Sequence, residues 1–446
     1  DFPAGPFVRV AVLDVTLALT GLNASVSGNF FFDQVGTVTR VAATNVTAAV
    51  DINGSAGNLI NGEGALVITS SGVAASISGT LQASVPGLDA GGTLILRFNN
   101  TGGAIDEEIE IGADRIKVLF TDSEGSFFGV ALVGATINIG DIVTIEGNIS
   151  FVNSGGRQVV AGNNLTLFIG EGPAKLENGD INPFARGLLI NNATLGLVKV
   201  DAGGGALYAL EANGDVQVIG IADLVLSGTI RVRVNTFTEA VTETIGIPGT
   251  EQSVTVNFDA TQTAGVSGPY ALIEAIGITL EVAGQALVAD LSVNRFRSDR
   301  NNTPLNSSDD IDVLRLSLRN VNASFGSLTE NFVTLSGGTG DFLILPEGLA
   351  AEVAGTLAVN VPDVSASGSF SLLINTTGMV IDEDYEVFGI QENLTLPAGP
   401  YLQIAGTGVE LTIAGQELGG DFTFEQNADG SVRVDVENAF LDLKSG

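Results

Sequence analysis

The 446-residue sequence has no cysteine, no histidine and no tryptophan, and its one methionine is Met379. Without cysteine the chain forms no disulfide. Without cysteine or histidine it cannot build the usual nucleophilic triads or zinc sites. A pair of carboxylates could still hydrolyse glycosides, but no acidic pair stands apart from the repeated pattern described below. We therefore predict that the protein is not an enzyme.

Basic residues are also scarce, since 18 lysines and arginines face 51 aspartates and glutamates, which gives a net charge of −33. Nucleic-acid binding needs basic patches that neutralise phosphates, so we expect no nucleic-acid partner. Adsorption to an anionic membrane is disfavoured for the same reason. No apolar run reaches the roughly 18 residues that a transmembrane helix needs, so we expect no membrane span.

The chain is rich in glycine, with 58 residues, and it is 45% hydrophobic but only 15% charged. Residues 409–413 (VELTI) and 432–436 (VRVDV) alternate apolar and polar side chains, and a glycine-containing NADG turn lies at 427–430. Strict alternation places the apolar side chains on one face of a strand. The sequence therefore predicts an all-β fold of antiparallel β-meander units, in which the apolar face of the sheet is buried and the polar face is exposed to solvent.

Internal repeats organise the chain. Residues 64–111 and 340–387 match without a gap and pair Asn99 with Asn375, and a more divergent copy carries Asn235 at the same place. The interval is close to the size of one ordinary domain. A truncated last unit would leave an apolar face uncovered, so we expect the chain to be a window on a longer repetitive protein. The predicted repeat units are 1–113, 114–247, 248–395 and the truncated 396–446.

Two arrangements of these units are compatible with the repeats. Adjoining units can form a continuous solenoid-like sheet, or they can form an array of discrete β-sandwiches. No flexible spacer rich in proline and serine separates the units. This favours abutting units over a sandwich array.

A Gly-Pro-aromatic motif recurs near the start of three units and is the most specific local motif in the sequence. Proline fixes φ and ends the pairing of one strand, and the following aromatic side chain can then be buried. The simplest interpretation is a turn that enters a domain, and the functional alternative is a joint where one unit docks on its neighbour. The candidate unit-junction residues are Pro6, Phe7, Pro269, Tyr270, Pro400 and Tyr401.

Acidic clusters are the candidates for a metal site, and the ion that they would suit is calcium. Calcium needs several carboxylate or carbonyl oxygens that converge. The alternative is a set of solvated strand ends, which the divergent copy supports because it has Thr242 and Thr244 around a single glutamate. The candidate ligands are Asp106, Glu107, Asp382, Glu383, Asp309 and Asp310. We expect no other cofactor.

Asn-x-Ser/Thr sequons make Asn99 and Asn375 candidates for glycosylation, because the two share a repeat position. The shared position is equally compatible with a role in turn geometry, since asparagine side chains often hydrogen-bond the backbone two residues on.

The repeat style, the acidity and the absence of cysteine resemble those of the long tandem-repeat surface proteins of prokaryotes, such as giant adhesins and extracellular filament proteins. This resemblance implies an extracellular or cell-surface location and self-association into a filament or array. The first functional hypothesis is therefore a structural subunit of an extracellular filament or cell-surface layer. The alternatives are a calcium-dependent or glycan-binding adhesin, and a lipid-carrying β-groove protein that the high apolar fraction suggests.

Overall fold

The computed structural model describes most of the chain, in stretches separated by short gaps. The described residues are 7–19, 24–52, 55–85, 88–111, 114–139, 143–154, 156–176, 180–202, 205–221, 224–248, 250–264, 269–282, 285–298, 311–326, 331–345 and 347–443. Within these stretches nearly every residue belongs to a β-strand, and the one helical element is a single 3-10 turn at Asp122–Glu124. No helix in the described stretches is long and apolar enough to cross a membrane. The prediction of an all-β fold is confirmed.

The strands are long and follow one another closely. In the first half of the chain they are β1 (Phe7–Leu19), β2 (Ala24–Val35), β3 (Val38–Ile52), β4 (Ser55–Thr69), β5 (Gly72–Val85), β6 (Leu88–Asn99), β7 (Ile105–Ile111), β8 (Asp114–Phe120), β9 (Phe127–Ile139), β10 (Val143–Ser154), β11 (Arg157–Glu171), β12 (Arg186–Ala202) and β13 (Gly205–Ile219). In the second half they are β14 (Leu224–Asn235), β15 (Val241–Gly246), β16 (Ser253–Phe258), β17 (Tyr270–Val282), β18 (Gln285–Ser298), β19 (Ile311–Gly326), β20 (Asn331–Leu345), β21 (Gly348–Val361), β22 (Val364–Asn375), β23 (Ile381–Val387), β24 (Ile390–Leu396), β25 (Tyr401–Ile413), β26 (Gln416–Gln426) and β27 (Val432–Asp442).

The chain divides into two compact units. The first comprises Asp1–Ala212 and Val241–Asp259, and the second comprises Asn213–Ala240 and Ala260–Gly446, so the dividing point lies inside β13. In the first unit, β1 to β6 and β9 to β12 pair antiparallel in chain order. In the second, β14, β17 to β22 and β25 to β27 do the same. Each unit is therefore built on one antiparallel meander sheet, as the predicted β-meander requires.

Three short hairpins interrupt the meander in the described chain: β7–β8, β15–β16 and β23–β24. Each leaves after a sheet strand, and the next sheet strand pairs directly with the one before the hairpin, so that β6 pairs with β9 and β22 with β25. The matching segments 64–111 and 340–387 thus have the same order of elements. The predicted boundaries after residues 113 and 247 fall in the connections of the first two hairpins, and the one after 395 falls at the end of β24.

Each described hairpin packs on one face of its sheet, which we call the hairpin face. The hairpin β7–β8 lies on β3, β4 and β5, and β15–β16 lies on β11 and β12. In the first unit, Ile109, Val118 and Phe120 of the hairpin are buried against Phe31 and Val67 of the sheet. In the second unit, alternating hairpin residues join a core cluster with strands β19 to β21. The sheet members of that cluster include Val313, Leu343 and Ala350, and the hairpin members are Ile381, Tyr385, Val387, Leu394 and Leu396.

A β-bulge recurs in the first sheet strand of every predicted unit. Its residue has a positive φ, and its backbone N–H donates a hydrogen bond to an asparagine or aspartate side chain on the next strand, at 2.6–3.0 Å. The four donor–acceptor pairs are Asp14–Asn29, Gly134–Asn148, Gly277–Asp290 and Gly408–Asp421. Because bulges increase the local twist of a sheet, their repetition gives corresponding strands of all four copies the same bend.

Candidate functional site

Three buried asparagines end the sheet strands that precede the hairpins. Asn99, Asn235 and Asn375 are the last residues of β6, β14 and β22, and each is at most 1% exposed. Each is paired across the ladder with the aromatic residue that opens the next sheet strand. The pairs are Asn99 with Phe127, Asn235 with Tyr270 and Asn375 with Tyr401. The sequence repeat thus marks the place where the chain leaves the sheet and later returns to it.

The amide of Asn375 ties the two ends of a hairpin together. Its Nδ2 donates to the carbonyl oxygens of Met379, at 2.8 Å, and Pro397, at 2.7 Å. Its Oδ1 accepts from the backbone N–H of Thr377 at 2.9 Å and from its hydroxyl at 2.7 Å. Asn99 forms the same arrangement, because its Nδ2 donates to the carbonyl oxygens of Gly103 and Glu124.

The glycosylation predicted at Asn99 and Asn375 is not compatible with this fold. A glycan would be attached to the Nδ2 atom, but in both residues this nitrogen is buried and both its hydrogens are donated to carbonyl oxygens. The alternative role in turn geometry is the one that the structure shows.

The predicted unit-junction residues lie where the chain re-enters the sheet. Tyr270 and Tyr401 open β17 and β25 directly after Pro269 and Pro400, and burial raises the pKa of both phenol hydroxyls. Phe7 opens β1 in the same way, while Pro6 lies outside the described residues. These positions agree with the interpretation as entry turns, and docking of one unit on another at this joint stays a prediction.

Phe127 is the member of this set that sequence reasoning missed. It follows serine rather than proline, so the Gly-Pro-aromatic pattern does not include it. Its side chain is 8% exposed and packs in the core beneath the first hairpin with Phe120, at 5.9 Å between ring centroids. An alignment on Asn99 rather than on proline would have found it.

The four predicted calcium ligands that the structure describes do not converge. Asp106 and Glu107 are adjacent in β7 and point to opposite sides, where Asp106 pairs with Lys117 at 3.1 Å and Glu107 pairs with Arg40 at 2.7 Å. The same alternation separates Asp382, which is exposed, from Glu383, which is buried. In the part of the chain that the structure describes, no group of three or more acidic side chains could hold a metal ion. The candidates Asp309 and Asp310 lie outside the described residues.

The face of each sheet opposite the hairpins, which we call the open face, carries an apolar row of side chains over ten successive strands. Residues paired across a ladder lie on the same face, so a row can be traced from strand to strand. In the first unit one row is Val12, Phe30, Ala43, Gly64, Ile77, Leu96, Val130, Phe151, Val160 and Leu197. In the second unit one row is Ile230, Ala275, Leu291, Leu318, Gly340, Val353, Leu372, Ile404, Phe424 and Val434. Neither row contains a polar side chain.

These rows are partly open to solvent. Ile77 is 38% exposed and Val12 42% in the first unit, and Ile404 is 40% and Val434 64% in the second. Ten strands spaced about 4.8 Å apart extend for about 45 Å. Monomeric soluble proteins rarely expose a continuous apolar patch of more than a few hundred Å², and larger patches mark binding surfaces. The open face is therefore the principal candidate for a functional surface.

A groove of about 270 Å³ lies on the open face of the first unit, between β2 and β5. Its lining includes Phe30, Val41, Leu59, Leu66 and Ile77, and Glu63 is the charged residue among the lining set. Gly64 lies in the groove, where a Cβ atom would come within 2.9 Å of the Ser76 carbonyl oxygen. The groove offers almost no hydrogen-bonding group, so it can bind a hydrocarbon by burial and dispersion alone.

Comparison with known protein families found no family whose model matches this chain. A comparison with curated proteins found no significant match.

Proposed function

We propose that the protein carries the hydrocarbon chains of lipids on its open face. The observation that supports this proposal best is the pair of uninterrupted apolar rows, one across ten strands of each unit. The hairpin face, by contrast, holds buried ion pairs and hydrogen bonds, such as Arg319 with Asp341 at 2.9 Å. Polar interactions are thus concentrated on one side of the sheet.

The chemistry of the rows favours a lipid over a protein partner. Specific protein interfaces carry about one hydrogen bond per 100–200 Å², and these polar contacts fix the register of the partner. The two rows supply none, and their side chains are aliphatic, phenylalanine or glycine. Acyl chains need no fixed register, and they are attracted by burial at about 0.8 kcal/mol per methylene group. Ten buried methylenes would therefore contribute about 8 kcal/mol before the cost of ordering the chain, which corresponds to micromolar affinity at best.

The groove supplies the sharpest test. Ala43→Trp places a bulky ring in the groove, and Ile77→Asp places a charge on a side chain that is already 38% exposed. Binding of a fluorescent fatty acid would be titrated against the wild type and both variants. We expect at least tenfold weaker binding to both variants, because one fills the groove and the other requires a charge to be desolvated.

Glu239→Trp is the matched control, because it adds the same indole at an exposed position outside the groove and should leave the affinity unchanged. Equal affinity of the wild type, Ala43→Trp and Ile77→Asp would contradict a hydrocarbon site in this groove.

A second candidate function, a structural subunit of a filament or surface layer, is favoured by β27. This strand pairs with β26, and within the described residues no other strand is seen to pair with its second edge. Val432, Val434 and Val436 are 56–64% exposed. An exposed edge with apolar side chains is a template for a further strand, whether that strand belongs to the same chain or to another. Fibres in negative-stain images that lengthen with protein concentration would support this function, and Val434→Lys should shorten them.

For both candidates we propose an extracellular location, on the basis of composition.

A further inference from the structure

Two cavities occupy matched positions on the hairpin faces of the two units. The first, of about 830 Å³, is lined by Val152 and Val159 of the sheet and by residues 243–248 of the hairpin β15–β16. The second, of about 440 Å³, is lined by Asn294 and Arg315 and by residues of the hairpin β23–β24. Val152 pairs with Val159 in the ladder as Asn294 pairs with Arg315, so the register identifies the two cavities as copies of one repeat feature.

Charged side chains line both cavities, among them Arg97, Lys117 and Glu124 in the first, but the second copy is more polar at five matched positions. Positions that hold aliphatic side chains or phenylalanine in the first unit hold hydrogen-bonding or charged side chains in the second. The replacements are Phe127 by Tyr270, Ala131 by Glu274, Val152 by Asn294, Val159 by Arg315 and Ile245 by Tyr385. Since the first unit folds with apolar side chains at these five positions, the fold itself does not require polar groups there.

Two charged side chains of the second cavity are deeply buried. Arg315 is 1% exposed and Glu274 is 7% exposed. The guanidinium of Arg315 lies 4.4 Å from the centre of the Tyr385 ring, and its Nη2 donates to the Glu386 carbonyl oxygen at 2.6 Å. Burial raises the pKa of the Glu274 carboxyl group. The positive charge of Arg231, whose Nη1 lies 3.8 Å from Oε2 of Glu274, acts to lower this pKa. Burying charged groups costs several kcal/mol, which the contacts of these groups within the protein offset in part.

One acceptor in this cavity has no hydrogen-bond partner among the described residues. The Oδ1 atom of Asn294 is fully buried and accepts no hydrogen bond. Buried polar atoms are nearly always paired, and exceptions often mark the place of a ligand. A ligand there must donate a proton, as a hydroxyl group does.

We propose that the second cavity binds a small organic acid that carries both a carboxylate and hydroxyl groups, such as a uronic acid. Arg231, Arg233 and Arg315 line the cavity, in a chain that has only 18 basic residues, and guanidinium groups bind carboxylates with two parallel hydrogen bonds. Asn294 accepts a ligand hydroxyl, and Tyr270 and Tyr385 also line the cavity. Asp384 and Glu386 also line the cavity, and their carboxylates accept from Asn393 and Gln391 on the neighbouring hairpin strand. This site is independent of lipid binding on the open face.

Isothermal titration of the whole chain with D-glucuronate, D-galacturonate and D-glucose tests the proposal. We expect saturable binding of at least one uronate and none of the neutral sugar. Two of the four tyrosines line the cavity, so binding should also change the near-ultraviolet absorbance. Absence of saturable binding by both uronates, or equal binding of glucose, would overturn the proposal.

Two substitutions test whether the uronate binds in the second cavity. Asn294→Val installs the residue of the matched position, and Arg231→Gln removes a charge from a side chain that is 40% exposed. Each should weaken uronate binding at least tenfold without unfolding the chain, as thermal melting would verify. Arg157→Gln, which removes an arginine from the first cavity, should leave the affinity unchanged. Unchanged uronate binding in a folded Asn294→Val or Arg231→Gln variant would place the binding elsewhere and refute the assignment.

Discussion

At the scale of single residues, the repeated asparagines show how one side chain can hold both ends of a hairpin in place. Asn99, Asn235 and Asn375 are buried at the point where a strand leaves the sheet. Their amides satisfy backbone groups on the outgoing and returning segments. Such groups would otherwise be buried without a partner, at a cost of about 1–3 kcal/mol each.

Replacing Asn375 with alanine should therefore destabilise the second unit strongly. The carbonyl oxygen of Pro397 and the N–H of Thr377 lose the Asn375 side chain as a partner, and the carbonyl oxygen of Met379 loses one of its hydrogen bonds. We expect the free energy of unfolding to fall by about 3 kcal/mol in urea titrations followed by tyrosine fluorescence.

Asn393→Ala is the control for this variant. It removes an exposed asparagine on the neighbouring hairpin whose bonds are made with the exposed side chains of Asp382, Asp384 and Thr395, so the loss should stay below about 0.5 kcal/mol. Equal losses in the two variants would show that burial of Asn375 is not what matters.

Glu274 makes stability depend on pH. Burial raises its pKa above the ordinary value of 4.5, so the folded chain holds the proton to higher pH than the unfolded chain does. This contribution to stability is complete below the unfolded pKa and is lost as the pH rises through the folded pKa. Glu274→Gln mimics the protonated form, so its melting temperature should exceed that of the wild type at pH 7 and match it at pH 4. A difference of the same size at both pH values would refute the effect of protonation.

At the scale of elements, the hairpins decide which face of a sheet is covered. The hairpin β7–β8 is held by buried apolar residues and by the ion pair between Arg40 and Glu107. Its outer side carries exposed ion pairs, such as Lys117 with Asp106, which contribute little because solvent screens them. The apolar contacts should therefore dominate the stability of the docked hairpin.

Phe120→Ala should loosen this hairpin selectively. Phe120 is 1% exposed, and truncating a buried phenylalanine costs about 3–5 kcal/mol. Hydrogen–deuterium exchange should rise sharply in residues 105–120 and much less in the hairpin β15–β16, which packs on other strands.

Leu119→Ala, one residue away and 48% exposed in the wild type, should change the exchange little. Exchange that rises equally in both hairpins, or in neither, would contradict independent docking.

The elements also show where sequence reasoning succeeds. Alternation and turn residues predicted the strands, and the match of 64–111 with 340–387 predicted two copies of the same element order, because both signals are local. The same reasoning placed the valines of 432–436 on a buried face, whereas Val432, Val434 and Val436 are exposed. Alternation identifies the two faces of a strand but not which one is covered, because the covering hairpins are distant elements. Phe127 was missed for a similar reason, since its role depends on its partner Asn99 across the ladder.

At the scale of the whole molecule, the chain combines a net charge of −33 with apolar rows that hairpins do not cover. The charge keeps such a chain soluble and repels anionic surfaces, so lipid should be acquired most readily from zwitterionic membranes. We expect the protein to take up phospholipid more slowly from vesicles of phosphatidylcholine with phosphatidylserine than from vesicles of phosphatidylcholine alone. A faster transfer from the anionic vesicles would contradict this view of the charge.

Native mass spectrometry after incubation with phosphatidylcholine vesicles tests lipid carriage most directly. The account predicts the 45.5-kDa chain with one or more added phospholipid masses, and loss of these adducts when Ile77→Asp and Ile404→Asp are combined. A folded wild-type chain that emerges from this incubation without any bound lipid would contradict it.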